Sequence, residues 1–139
     1  MEKKVEIKIL GTSDVHGRIL PWNYAADEEN NSGSYAQIST YVKKVRENNK
    51  NVLFMEVGDA IQDNWIEYFA NDKNHPIPQI LNYMKCDIFV PGNHEFNFGM
   101  PTLTNILKKM KAKKLLANLF YNDENKNNFN LCKDKKRYL

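Results

Sequence analysis

The chain has 139 residues, 42% hydrophobic and 27% charged, with three histidines (His16, His75, His94) and two cysteines (Cys86, Cys132). That is the length of one domain with a globular composition, and so few thiols exclude a disulfide-rich scaffold or a Cys₄ zinc module. The net charge of +3 is uneven: residues 1–100 carry −4 and residues 101–139 carry +7, which reads as a solvated helix face and a polar end rather than an anion-binding surface.

Val5 to Leu10 alternates, with β-branched residues at Val5, Ile7 and Ile9, and is expected as a strand. Gly11 to Gly17 follows as a loop, and Pro21 to Ser34 as an irregular excursion. Ser34 to Asn48 has helical spacing at Tyr35, Ile38, Tyr41, Val42 and Val45, with Ser34 as N-cap. Asn51 to Val57 is a short apolar strand of the type buried in a parallel sheet, closed by Gly58-Asp59. Ile61 to Ala70 and Pro78 to Met84 read as helices. Asp87 to Val90 is a third strand, closed by Pro91-Gly92-Asn93-His94. Pro101 starts a helix whose apolar face is Leu103, Ile106, Leu107 and Met110. Lys114 to Asn118 is a candidate fourth strand. The expected division is a unit over residues 1–120 and a polar basic tail over 121–139. This alternation argues for an α/β fold with a mostly parallel sheet.

Three polar clusters each follow an expected strand: Asp14-Val15-His16, Gly58-Asp59 and Gly92-Asn93-His94-Glu95. In a parallel sheet such strand ends share one edge, where ligands bind, so three distant segments are expected to meet. Two carboxylates, two imidazoles and a carboxamide make an oxygen- and nitrogen-rich donor set suited to first-row divalent ions. A carboxylate such as Asp59 can bridge two ions, and a pair about 3.5–4 Å apart clamps a phosphate and activates water. Asp-x-His or Gly-Asp alone is weak; their joint occurrence at three strand ends is not.

Ser13-Asp14-Val15-His16-Gly17-Arg18-Ile19, Val57-Gly58-Asp59-Ala60-Ile61-Gln62 and Gly92-Asn93-His94-Glu95-Phe96-Asn97-Phe98-Gly99 resemble the calcineurin-like metallophosphoesterases. More narrowly, the chain resembles the N-terminal catalytic domain of the 5′-nucleotidase / 2′,3′-cyclic-nucleotide 2′-phosphodiesterase family, over residues 5 to 120. The resemblance implies half of a four-layer α/β/β/α sandwich and hydrolysis of a nucleotide or other phosphoester at two divalent ions (Mn, Fe, Zn or Co). It implies Asp14 and His16 as ligands of the first ion, Asp59 as the bridge, Asn93 as a ligand of the second, and His94 as the catalytic histidine. Glu95 and Phe96 are read as supporting residues, Gln62 is given no role at the metals, and His75 is peripheral.

Two departures from the family pattern stand out. Many relatives have Asp at Asn97, paired with the catalytic histidine; an Asn orients the ring without stabilising its charge, which points toward the cyclic-phosphodiesterase branch. The family also completes its centre with a downstream Gly-His-x-His, whereas no histidine follows His94 here. The chain therefore reads as an N-terminal fragment, expected to be inactive alone or to need a missing half-domain. A non-enzymatic chain completed by another polypeptide is the alternative, and nucleic acid ranks last as a partner. No apolar run approaches the roughly 20 residues of a bilayer span. With a charged start at Met1 to Lys8, the expectation is a cytoplasmic chain without membrane contact.

Overall fold

The computed structural model describes residues 4–116. In chain order these hold strand β1 (Lys8–Thr12), the short strands β2 (Trp22–Asn23) and β3 (Glu28–Glu29), helix α1 (Tyr35–Asn48) and strand β4 (Val52–Glu56). A 3₁₀ helix (Asn64–Phe69), helix α2 (Pro76–Tyr83), strand β5 (Ile88–Phe89), a second 3₁₀ helix (His94–Phe96), helix α3 (Gly99–Lys109) and strand β6 (Lys113–Lys114) follow. The expected tail, Cys132 and the fourth strand beyond Leu116 lie outside the described residues.

β1, β4, β5 and β6 form one sheet in that order, every pair parallel. The register aligns the strand ends: Thr12 stands opposite Glu56, Glu56 opposite Phe89, and Phe89 opposite Lys114. The loops after β1, β4 and β5 consequently leave the sheet side by side. This is the α/β arrangement expected from the alternation of elements.

One sheet face is covered. Phe54 and Phe89 are fully buried in a cluster with Tyr35 and Val42 of α1, Ile77 and Leu81 of α2, and Leu103, Ile106 and Leu107 of α3. The other face is open among the described residues, and Ile7 and Ile9 are each 63% exposed. Helix ends are satisfied locally. Ser34 Oγ accepts the Gln37 N–H, and His75 Nδ1 accepts the Ile77 N–H at 3.3 Å. His75 is buried, and burial pushes its pKa down to about 4, so this cap is a neutral imidazole. Arg46 ties the end of α1 to the turn before β5 by donating to the Met84 and Lys85 carbonyls and to Asp87 Oδ2.

Three segments differ from expectation. The helix expected over 61–70 is a 3₁₀ helix over Asn64–Phe69, because Asp63 and Asn64 have φ of +68° and +51°, incompatible with a continuous right-handed helix. The excursion over 21–34 contains the antiparallel β2–β3 ribbon, whose turn is held by Asn23 Oδ1 accepting the Ala25 and Ala26 N–H groups. β1 begins at Lys8 rather than Val5. Its partner β4 starts at Val52, with the Lys8 N–H on the Asn51 carbonyl, so no ladder extends to Val5.

Candidate metal centre

The backbone brings the three strand-end loops together before any side chain does. The Asp14 N–H donates to the Gly58 carbonyl at 3.0 Å and the His16 N–H to the Asp59 carbonyl at 2.9 Å. Asp14, His16 and Asp59 have φ of +55°, +50° and +56°. Asp enters this left-handed region with some ease, since its short side chain bonds locally; His does so less often. Such clustering of left-handed non-glycine residues is characteristic of functional sites.

Glycine makes the second contact between loops. Gly58, with φ +97°, lies so near Gly92 that a Cβ would overlap the Gly92 nitrogen, and a Cβ on Gly92 would overlap the Asp59 carboxylate. Glu95 locks the same junction. It is fully buried, and its carboxylate accepts the N–H groups of Asp59 (2.8 Å), Ala60 (2.7 Å) and Gly92 (2.6 Å). Asp59 Oδ1 in turn accepts the His94 N–H at 2.9 Å.

On this frame His16, Asp59 and His94 each place one donor atom within 4.8 Å of the others. The two imidazole rings stand edge to face with centroids 5.2 Å apart. Asp14 is at the rim: its carboxylate is exposed and lies 4.0 Å from His16 Nε2, outside the compact trio. Asn93 is exposed and immediately precedes His94, as N-cap of the 3₁₀ turn without a capping side-chain bond. The carboxylate and imidazole donors fit a divalent first-row ion, and among the described residues no thiolate joins them.

Three residues without an expected role enter the site. Gln62 Oε1 lies 2.7 Å from His94 Nδ1 and accepts from Asn97 Nδ2 at 2.5 Å, while that Nδ2 is 3.1 Å from His94 Nδ1. Asn97 thus meets the ring with its amide nitrogen, and the nearest carboxamide oxygen belongs to Gln62. Asp63 Oδ2 lies 2.9 Å from His16 Nδ1, close but poorly aligned for a hydrogen bond. Asn64 Nδ2 donates to the His16 carbonyl at 2.6 Å. The available signal was positional: polar residues three to five places after Asp59, in the same strand-end loop.

Beneath the loops, Glu56 is fully buried, with Thr12 Oγ1 donating to it at 2.7 Å and Tyr35 Oη at 3.4 Å. Burial pushes the Glu56 carboxyl up to about 7, opposed in part by the Thr12 hydrogen bond. Burial also raises the Tyr35 phenol well above its ordinary range, with the Glu56 charge adding to it.

The sequence matches the family described as calcineurin-like phosphoesterase over residues 7–139. The chain belongs to the calcineurin-like phosphoesterase family. It is 34% identical over 115 residues to the trifunctional nucleotide phosphoesterase protein YfkN of Bacillus subtilis, covering 76% of this chain and 8% of that protein. It is 28% identical over 113 residues to a 2′,3′-cyclic-nucleotide 2′-phosphodiesterase/3′-nucleotidase of Haemophilus influenzae, covering 77% of this chain and 17% of that one. The crystal structure of the calcineurin-like phosphoesterase YfkN superposes with a TM-score of 0.73 at 32% identity, over 78% of this chain and 36% of that chain. The chain therefore spans a small part of the length of these relatives. The parallel sheet and its helices are a portion of the calcineurin-like metallophosphatase fold, as the motifs implied. Among the described residues no helix is long and apolar enough to cross a membrane.

Proposed function

We propose that the chain is a metal-dependent phosphoesterase of the nucleotidase type, acting on nucleotide phosphoesters of the 5′-nucleotidase or 2′,3′-cyclic-nucleotide kind. The observation that carries this reading is the convergence of His16, Asp59 and His94 at the aligned ends of three parallel strands. Asp14 and His16 would hold one ion, Asp59 would bridge, and Asn93 would serve a second ion through its side-chain oxygen. Mn, Fe, Zn and Co all suit this donor set. Divalent ions, when bound, supply Lewis-acid stabilisation of phosphoryl charge and acidify water. His94 orients toward the same point and would hydrogen-bond a phosphoryl oxygen or deliver a proton to the leaving oxygen. The Glu95 carboxylate would keep Asp59 and the His94 loop in register while charge develops. All of these residues fall within the proposed unit of residues 1–120.

The test is Mn²⁺ titration calorimetry on the 139-residue chain beside hydrolysis of AMP, 2′,3′-cyclic AMP and p-nitrophenyl phosphate. Metal-dependent turnover that disappears in Asp59→Ala supports the reading. Folding without Mn²⁺ binding in native chain overturns it.

One observation favours a second reading, that the chain is a half-domain completed by further polypeptide. Ile9 on the open sheet face and Val5 and Ile7 in the segment leading into β1 are each more than 60% exposed, which is unusual for a solitary soluble domain. Mn²⁺ binding without turnover, restored to turnover by added downstream sequence of a relative, is the result this reading expects. Full turnover by the chain alone would exclude it.

A further inference from the structure

We propose that Gln62 is the residue that positions His94, by accepting a hydrogen bond from its Nδ1–H, and that Asn97 acts through Gln62 rather than on the ring. For its catalytic consequence this rests on the phosphoesterase reading of His94; its geometry does not.

The orientations of the two carboxamides define the arrangement. Gln62 Oε1 is 2.7 Å from His94 Nδ1, a contact that demands a hydrogen between them, since two facing lone pairs at that range repel. A carbonyl oxygen has two lone pairs. The second is taken by Asn97 Nδ2, which is closer to Gln62 Oε1 (2.5 Å) than to His94 Nδ1 (3.1 Å). Two donors, His94 Nδ1–H and Asn97 Nδ2–H, thus converge on one oxygen. Nδ1 then carries the hydrogen of the ring, and Nε2 is the nitrogen left to take up a proton and pass it to an oxygen, the role proposed for His94.

The placement of Gln62 gives this bond a second effect. Gln62 follows Asp59 by three residues in the loop that Glu95 pins by the Asp59 and Ala60 N–H groups. Asp59 Oδ1 meanwhile accepts the His94 N–H. The loop of Asp59 therefore holds His94 twice, by its backbone and by its ring, and the bridging carboxylate and the catalytic histidine are fixed relative to each other. Both partners of the ring are uncharged: two carboxamides occupy the place of the single carboxylate that many relatives are expected to carry at Asn97.

The test reads the tautomer directly. The metal-free 139-residue chain, labelled with ¹⁵N-histidine, is examined by long-range ¹H–¹⁵N correlation at about pH 8, where free imidazole is neutral. The His94 signals are assigned by their loss in His94→Gln. Native chain is expected to show His94 as the Nδ1–H tautomer. Gln62→Met, similar in length but without the oxygen, is expected to lose it. Gln62→Glu, which restores an acceptor, is expected to keep it. The buried His75 serves as internal reference, and unchanged His75 signals establish that each variant is folded. An Nε2–H tautomer in native chain overturns the proposal, as does an Nδ1–H form that persists in folded Gln62→Met. Neither result depends on metal or turnover, so failure of the phosphoesterase reading is scored separately. With turnover, Gln62→Met is expected to lower kcat about 10–100-fold with KM unchanged, the usual cost of removing the partner that orients a functional histidine; an unchanged kcat counts against it.

Discussion

Glu95 holds Asp59 by its backbone: Glu95 Oε2 accepts the Asp59 N–H at 2.8 Å, although the two residues are 36 apart in sequence. The same carboxylate also accepts the Ala60 and Gly92 N–H groups, so one side chain joins the loops after β4 and β5. Glu95→Gln replaces an acceptor oxygen with an NH₂ group facing one of these three donors. A buried N–H left unsatisfied costs about 1–3 kcal/mol, to be read from urea unfolding. The junction also carries Asp59, so Mn²⁺ affinity is expected to fall about 10–100-fold by calorimetry. Native affinity in Glu95→Gln would show that the loops find their register without it.

The glycines at this junction should separate by their surroundings. Gly92→Ala would drive a methyl into the Asp59 carboxylate, and Gly58→Ala would meet the Gly92 nitrogen while also forcing Ala to φ +97°. Gly11 has the opposite environment, with nothing within 4 Å of the added Cβ. Gly11→Ala is expected to change stability by less than about 0.5 kcal/mol, as surface substitutions usually do. Gly58→Ala is expected to cost more than about 2 kcal/mol, combining overlap with backbone strain. Gly92→Ala should fall between them and weaken Mn²⁺ binding most, because the displaced group is Asp59 itself. Equal urea midpoints for the three would refute the ordering.

The trio His16, Asp59 and His94 was legible in the sequence because each element of the argument was local. An apolar run ends, a glycine and a polar residue follow, and parallel strands put their ends on one edge. The partners of that trio were not legible. Gln62 reaches it through a contact with His94 across 32 residues, and Asp63 and Asn64 through positive φ at both positions, with Asn64 bonded to the His16 carbonyl. That pair of positive φ values breaks the 3.6-residue spacing of Ile61 to Ala70, and the apolar positions alone read as helix. Glu95 looked like support, but its role as acceptor for three backbone groups depends on contacts across 35 residues that no local pattern carries. β1 shows the same limit, since the alternation from Val5 is real while the extent of the strand is set by where β4 begins.

Stability should depend on pH through two buried groups that act in opposite directions. His75, with its pKa pushed from 6.5 down to about 4, is neutral in the fold where the unfolded chain is protonated, so stability falls as pH drops from about 6.5 toward 4. Glu56, pushed from 4.5 up to about 7, is protonated in the fold where the unfolded chain is ionised, so its favourable contribution is present below about 4.5 and lost as pH rises through 7. Each is worth on the order of 3 kcal/mol across its window, and over the shared span they nearly cancel. Glu56→Gln removes one arm, and its urea midpoint should rise with pH between about 4.5 and 6.5. His75→Asn keeps a capping side chain and removes the other, and its midpoint should fall over the same span. Two variants with parallel pH profiles would refute the assignment of these groups.

Asp59→Asn should separate metal binding from folding. Asparagine retains the Oδ1 acceptor that takes the His94 N–H and tolerates the left-handed φ of +56°. It also leaves the Asp59 carbonyl free to accept the His16 N–H, so the loops keep their contacts. Without metal, its unfolding free energy is expected to match the native chain within about 0.5 kcal/mol. A bound ion stabilises the native state by mass action, about 2.7 kcal/mol at a free concentration 100 times Kd. Mn²⁺ should therefore raise the urea midpoint of the native chain and leave that of Asp59→Asn nearly unmoved, because a neutral carboxamide is a poor bridge and the charge beside the two imidazoles is gone. Equal Mn²⁺ stabilisation of both chains would place the ion elsewhere than at Asp59, and the convergence of His16, Asp59 and His94 would then need another explanation.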